Sequence, residues 1–167
     1  MEHLHSYWRM EYLEVPKLPG TRNPFHALLT SGNDREALII HRSAHCCLML
    51  NRYPYNAGHL LVLPLQEVQD LAELSPAERA DLMETTVLGQ DLLRRTLHPD
   101  GFNIGLNIHQ AAGAGVPDHL HIHIVPRWKS DTNFMPVIAE TSVLPISLDQ
   151  LWERLTSALQ SSKPSAS

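Results

Sequence analysis

Three histidines alternate with apolar residues in the run His119-Leu120-His121-Ile122-His123. Side chains of an extended strand alternate between its faces, so this spacing puts three imidazoles on one face and Leu120, Ile122 and Ile124 on the other. Same-face neighbours stand roughly 6.5 to 7 Å apart along a strand, and the outer two about twice that. Two such rings could share a metal ion, but three could hardly close on one ion with bonds of about 2 Å. A row suits an extended ligand better, with one ring attacking and the others orienting the ligand or its leaving group. Neutral imidazole is a nucleophile at physiological pH, and a hydrogen bond to its second nitrogen fixes the tautomer. At phosphorus it forms a phosphohistidine-type intermediate, and such transfers ask mostly for positioning and charge stabilisation. Each histidine alone is compatible with an ordinary surface or hydrogen-bonded residue. Their repetition in register favours a functional row.

The elements that must position this row are short. Ala37 to Arg42, Cys46 to Asn51, His59 to Leu63, Phe102 to Asn107 and His119 to Val125 are rich in Leu, Ile and Val and bounded by turn residues, which predicts five strands. Tyr53 to Gly58 and Ala111 to Pro117 predict long hairpin loops, and nothing in the order suggests a parallel strand-helix-strand repeat. Ser75-Pro76-Ala77-Glu78 combines a Ser cap, Pro at the first helical position and Glu placed to close a capping box. The helix it starts keeps its apolar spacing until His98-Pro99-Asp100-Gly101 stops it. Leu148, Leu151, Trp152, Leu155, Ala158 and Leu159 line one face of a second helix. The reading is an α+β fold: an antiparallel five-stranded sheet with a long helix between the third and fourth strands and a C-terminal helix. Residues 1–160 read as one domain and 161–167 as a flexible polar tail.

Composition narrows the function. A chain of 167 residues with 43% hydrophobic and 19% charged residues has room for a core, and no apolar run nears the roughly 18 residues of a membrane span. The first residues carry an acid and no apolar stretch, unlike a signal peptide, so the expected location is cytoplasmic and no membrane partner is expected. A net charge of −5 argues against nucleic acid held on a broad basic face. Any polyanion must be met locally. Cys46 and Cys47 are adjacent, a poor geometry for a mutual disulfide, and read as reduced strand residues.

The run His119-Leu120-His121-Ile122-His123-Ile124-Val125 resembles the signature of the histidine triad, or HIT, nucleotide hydrolases and transferases. Leu50-Asn51-Arg52-Tyr53-Pro54-Tyr55-Asn56-Ala57-Gly58-His59 looks like that family's upstream hairpin. Pro126-Arg127-Trp128 and Asp131-Thr132-Asn133-Phe134-Met135 are most similar to the bacterial branch with diadenosine tetraphosphate phosphorylases. The upstream block also looks like the fragile-histidine-triad hydrolases. The resemblance implies cleavage of dinucleoside polyphosphates at the α-phosphate through a nucleotidyl-histidine. The alternatives are a nucleoside phosphoramidase or a non-catalytic nucleotide- or metal-binding interaction protein.

By motif position the resemblance makes His121 the nucleophile, gives His123 the leaving-group oxygen, and gives His119 the support of the nucleophile. It assigns Asn51 to ribose and Asn107 to the phosphates, although the loop after Asn107 is one residue longer than usual. Gly113, Ala114 and Gly115 either present backbone N–H groups to phosphate or simply connect a hairpin. Many relatives carry Gln followed by Ser or Thr where this chain has Gly115-Val116. Arg127 and Lys129 either meet distant phosphates or are solvated charges, and Trp128 either stacks on a base or closes a packing contact. Some relatives hold structural zinc at positions corresponding to Asn23, His26, His59 and His119. Asn is a poor substitute for thiolate, so no metal site is assigned, and the alternative is a hydrogen-bonded His59–His119 pair. No tightly bound cofactor is expected, although magnesium could arrive with a polyphosphate. The resemblance implies a homodimer or larger homo-oligomer.

Overall fold

The computed structural model describes residues 23–129, 131 and 146–161. Its elements are α1 (Pro24–Thr30), β1 (Ile39–Arg42), β2 (Cys46–Leu50), β3 (Leu60–Pro64), α2 (Pro76–Leu97), β4 (Gly101–Leu106), β5 (Ile122–Arg127) and α3 (Leu148–Gln160), with 3₁₀ turns at Leu71–Glu73 and Gln110–Ala112. The strands form one sheet in the order β1-β2-β3-β5-β4, and every neighbouring pair is antiparallel. β5 therefore lies inside the sheet, between β3 and β4, and α2 carries the chain across one face before the β4–β5 hairpin returns it.

The expected capping box starts α2. Ser75 Oγ accepts from the Glu78 N–H, and Glu78 Oε2 accepts from the Ser75 N–H at 2.8 Å. The helix ends on His98, held in the left-handed region at φ 50.

Alternation along the strands builds two cores. Leu48, Leu50, Leu60, Val62, Ile122 and Ile124 face α2 and α3, where Leu82, Leu92, Leu93, Leu151 and Leu155 complete a buried layer. Cys47, Met49, Leu61 and Leu63 face the other way and pack on Phe25, Ala37, Ile39 and Val116. Coverage on both faces explains why β2 and β3 are apolar at every position. It also buries both thiols and pushes each up to about 12.

Several boundaries differ from expectation, each for a local reason. β1 begins at Ile39 rather than Ala37, because residues 34–38 wind helically: the Ala37 N–H donates to Asn33 O and the Ile39 N–H to Asp34 O. β2 stops at Leu50, where the Asn51 side chain takes the Tyr53 N–H and turns the chain. β3 and β4 are each displaced by one residue, which puts His59 before β3 and Asn107 after β4. β5 begins at Ile122 instead of His119 because the Leu120 N–H is taken by Val68 O at 2.7 Å. It continues to Arg127, paired with Gly101.

The sequence reading did not anticipate α1, although Asn23-Pro24 carries a cap followed by Pro at the first helical position. α3 extends through Gln160, and the expected tail lies outside the described residues beyond Ser161. Among the described residues no helix is long and apolar enough to cross a membrane.

Gly89 marks where α2 meets the sheet. A Cβ there would stand 2.8 Å from Ile124 Cδ1 and 3.0 Å from Leu48 Cδ1, both in the core. Gly89→Val should overpack this contact and destabilise the fold by about 1–3 kcal/mol, read as a lowered urea midpoint with an unchanged slope. A midpoint at or above wild type would contradict this packing.

Candidate active site

The sequence places the three histidines together, and the chain's backbone then gives them different chemistry. A carbonyl can only accept, so each ring nitrogen that bonds to one must carry a proton. His121 Nδ1 lies 2.8 Å from the carbonyl oxygen of His119, which puts the proton on Nδ1 and leaves a lone pair on Nε2. His119 Nε2 lies 2.8 Å from Pro64 O and donates there. Its Nδ1 faces Asn23 Nδ2 at 2.9 Å. Asn23 Oδ1 is already accepting the N–H groups of Phe25 and His26, so the amide nitrogen must be the donor to His119. His119 is therefore neutral with both nitrogens engaged, and it supports His121 through its carbonyl rather than its ring.

His123 takes the opposite tautomer. His59 Nδ1 receives the Tyr55 N–H at 3.1 Å and faces Asn51 Nδ2 at 3.3 Å, so the His59 proton sits on Nε2. That nitrogen lies 2.9 Å from His123 Nδ1, which must accept. Neutral His123 thus carries its proton on Nε2. The His121 and His123 rings, 4.8 Å apart between centroids, present a lone pair on one and an N–H on the other.

Packing secures both. Phe25 meets His119 and His121 edge-on, at centroid distances of 5.8 and 5.2 Å. Tyr55 stacks on His123 at an interplanar angle of 24° and lies 4.7 Å from the His59 ring. The turn carrying Tyr55 and His59 passes through Gly58 at φ 79, where a Cβ would stand 2.6 Å from Leu97 Cδ1 and 3.1 Å from Leu93 Cδ2. Burial lowers the pKa of His119 and His121, against the raising effect of their carbonyl bonds. Burial, and then His123 and His121, push His59 down to about 3. The nucleophile-type ring and its supports therefore stay neutral at physiological pH.

Asn51 joins the site through the His59 network, while Asn107 follows β4 and is partly buried. The loop after it is strained at His109, with φ 63 and ψ 171. Two of the three expected loop donors are consumed inside the turn: the Gly113 N–H bonds Gln110 O, and the Ala114 N–H bonds His109 O. Arg127 is exposed but engaged, since Nε and Nη2 grip the carboxylate of Asp131 and Nη1 donates to Asn103.

The alternative His59–His119 pair does not form, because His59 bonds His123 and His119 bonds Asn23 and Pro64. The residues also fit zinc poorly. Asn23 turns its amide N–H, a donor, toward the nitrogen a metal would need, and no group of three His, Cys, Asp or Glu among the described residues could hold an ion. Sequence reasoning missed Phe25 and Tyr55 and weighed His59 as a metal ligand or a partner of His119, not of His123. The nearest available signal was Asn23-Pro24, which places Phe25 on a capped helix.

A buried neutral imidazole with a lone pair on Nε2, beside a second imidazole that carries an N–H on Nε2, is an arrangement able to support nucleophilic transfer on an antiparallel sheet. Residues 33–130 match the HIT domain, and the chain belongs to this family. It is 35% identical over 153 residues to an AP-4-A phosphorylase of Mycobacterium tuberculosis, covering 87% of this chain and 77% of that protein. It is 33% identical over 93 residues to the asymmetrical bis(5'-nucleosyl)-tetraphosphatase of Schizosaccharomyces pombe, covering 56% and 50% respectively. A zinc-bound histidine triad family protein of Mycobacterium smegmatis superposes with a TM-score of 0.65 at 25% identity, over 82% of this chain and 92% of that one.

The buried histidines make stability depend on pH. An imidazole in the unfolded chain protonates near 6.5, whereas folded His59 resists protonation down to about 3. Below pH 6.5 the unfolded state binds more protons, so stability is full above that value and falls as pH drops toward 3, by up to about 1.4 kcal/mol per pH unit for such a group. The urea midpoint should fall between pH 7 and 5, and less steeply in His59→Gln. Equal slopes in the two proteins would show that His59 is not held neutral.

Proposed function

We propose that this chain cleaves dinucleoside polyphosphates at an α-phosphate by two successive displacements at one phosphorus. The observation that carries the reading is the opposite protonation of His121 and His123 on adjacent rings. His121 Nε2 attacks the α-phosphorus, a P–N bond forms, and the P–O bond to the leaving chain breaks with its electron pair on the bridging oxygen. His123 Nε2–H hydrogen-bonds that oxygen as its charge develops. The attacking ring becomes cationic, which strengthens its Nδ1–H bond to His119 O. Water or inorganic phosphate then displaces His121 and releases the nucleotide.

The named activities of the mycobacterial and fission-yeast relatives support this substrate class. The mycobacterial match, which spans most of both chains, favours phosphate as the acceptor. Asn51 is assigned to ribose and Asn107 to phosphate, with Gly113, Ala114 and Gly115 shaping the wall beside the phosphates and magnesium accompanying the substrate. Two free thiols and a nucleotide substrate suit a cytoplasmic setting.

We infer a homodimer as well. β4 is an edge strand with Ile104 43% exposed, and α2 leaves Met83 and Val87 about half exposed. Light scattering should give twice the chain mass, and a stable monomer at micromolar concentration would oppose this.

Diadenosine tetraphosphate should yield ATP and ADP with inorganic phosphate present, and ATP and AMP in its absence. His121→Ala should lower kcat by roughly 10³-fold or more. Stoichiometric nucleotide binding without turnover would instead identify a binding protein, and cleavage confined to phosphoramidates would identify a phosphoramidase.

A further inference from the structure

A second polar cluster lies where β5 ends. Arg127 Nε and Nη2 donate to the two oxygens of Asp131 at 2.6 and 2.9 Å. Asp131 Oδ2 also accepts the Trp128 N–H at 3.3 Å and Asn56 Nδ2 at 2.9 Å. The same Asn56 nitrogen lies 3.1 Å from Pro126 O. An exposed ion pair alone stabilises little. This carboxylate is 9% exposed and receives four N–H donors, two of them the bidentate Arg127 pair, which with the other donors lowers its pKa to about 2.

What the cluster grips is the turn that sets the tautomers. Asn56 follows Tyr55, whose N–H fixes the proton of His59, and the Asn56 carbonyl accepts the His59 N–H at 3.1 Å. The Asn56 side chain thus ties this turn to the end of the strand that carries His123.

We propose that Asn56 and Asp131 are positioning residues for the leaving-group histidine: by anchoring the turn they keep the Tyr55 N–H on His59 Nδ1, and so keep the His123 proton on Nε2. This rests on the proposed transfer reaction and adds to it the control of its second half-site. Without the anchor, His59 can hold its proton on Nδ1 and accept at Nε2. His123 then donates its Nδ1–H to His59 and turns a lone pair toward the leaving oxygen. Asn51 continues to favour the competent form, so the change is a partial shift in population rather than a complete loss.

Two measurements on Asn56→Ala and Asp131→Asn test this, the second variant preserving side-chain shape. Nitrogen-15 imidazole spectra of the whole protein should show the protonated nitrogens of His59 and His123 exchanging identity while those of His119 and His121 stay fixed. With AMP esters of graded leaving-group basicity, from nitrophenol to a simple alcohol, kcat should fall little for the first and about tenfold for the last, as expected if one molecule in ten holds the competent tautomer. KM should hardly move. Unchanged tautomers, or an equal loss for every leaving group, would overturn the proposal. A tautomer shift in a protein that turns over none of these substrates would refute the reaction and leave the positioning role intact.

Discussion

The hydrogen bond from His121 Nδ1–H to the carbonyl of His119 joins residues only two apart, and it exists because the strand starts late. In a regular antiparallel ladder, main-chain carbonyls alternate between neighbouring strands and are largely consumed by them. Here Leu120 bonds to Val68 in the connection after β3, and residues 119–121 precede the ladder. The carbonyl of His119 can therefore turn to a side chain. The same backbone irregularity that shortens β5 is what fixes the His121 proton on Nδ1 and leaves the lone pair on Nε2.

Burial gives that bond its consequence. Phe25 on one side and the sheet on the other deprive His119 and His121 of water, so both rings favour the neutral form. Neutral rings have one donor and one acceptor each, and a chain of them must order its protons in a single sense. Starting from the Tyr55 N–H, the order runs through His59 to His123; starting from His119 O, it runs the other way into His121. Two backbone groups, one amide and one carbonyl, thereby divide chemically identical side chains into one that presents a lone pair and one that presents an N–H.

Much of this fold can be read directly from local residues. Ser75, Pro76 and Glu78 announce α2 because a capping box needs nothing distant. The triad is legible because alternation is a property of the chain itself. The division of labour within it is not, since it depends on contacts such as His59 with His123, 64 positions apart, and His119 with Pro64, 55 positions apart. Asn23 shows what the sequence leaves unsaid: beside His26 it reads only as a poor metal ligand, whereas its oxygen caps a helix and its nitrogen steadies a histidine. Arg127 likewise reads either as a phosphate contact or as a solvated charge, and only the structure shows Asp131, four residues on, pairing with it.

Gly58 ties these observations to the way such a sequence can change. The space its missing side chain leaves is filled by Leu97 and Leu93 from the end of α2, with Pro126 of β5 a little farther off at 3.4 Å. Two segments distant in sequence, the end of α2 and β5, converge on one point of the turn that carries His59. Substitutions at these four positions are therefore epistatic: a larger residue is tolerable at one only after a smaller one has appeared at another, and the positive φ closes most paths at 58 itself. The turn can diversify at exposed Tyr53, but its innermost point evolves in concert with the helix end or not at all.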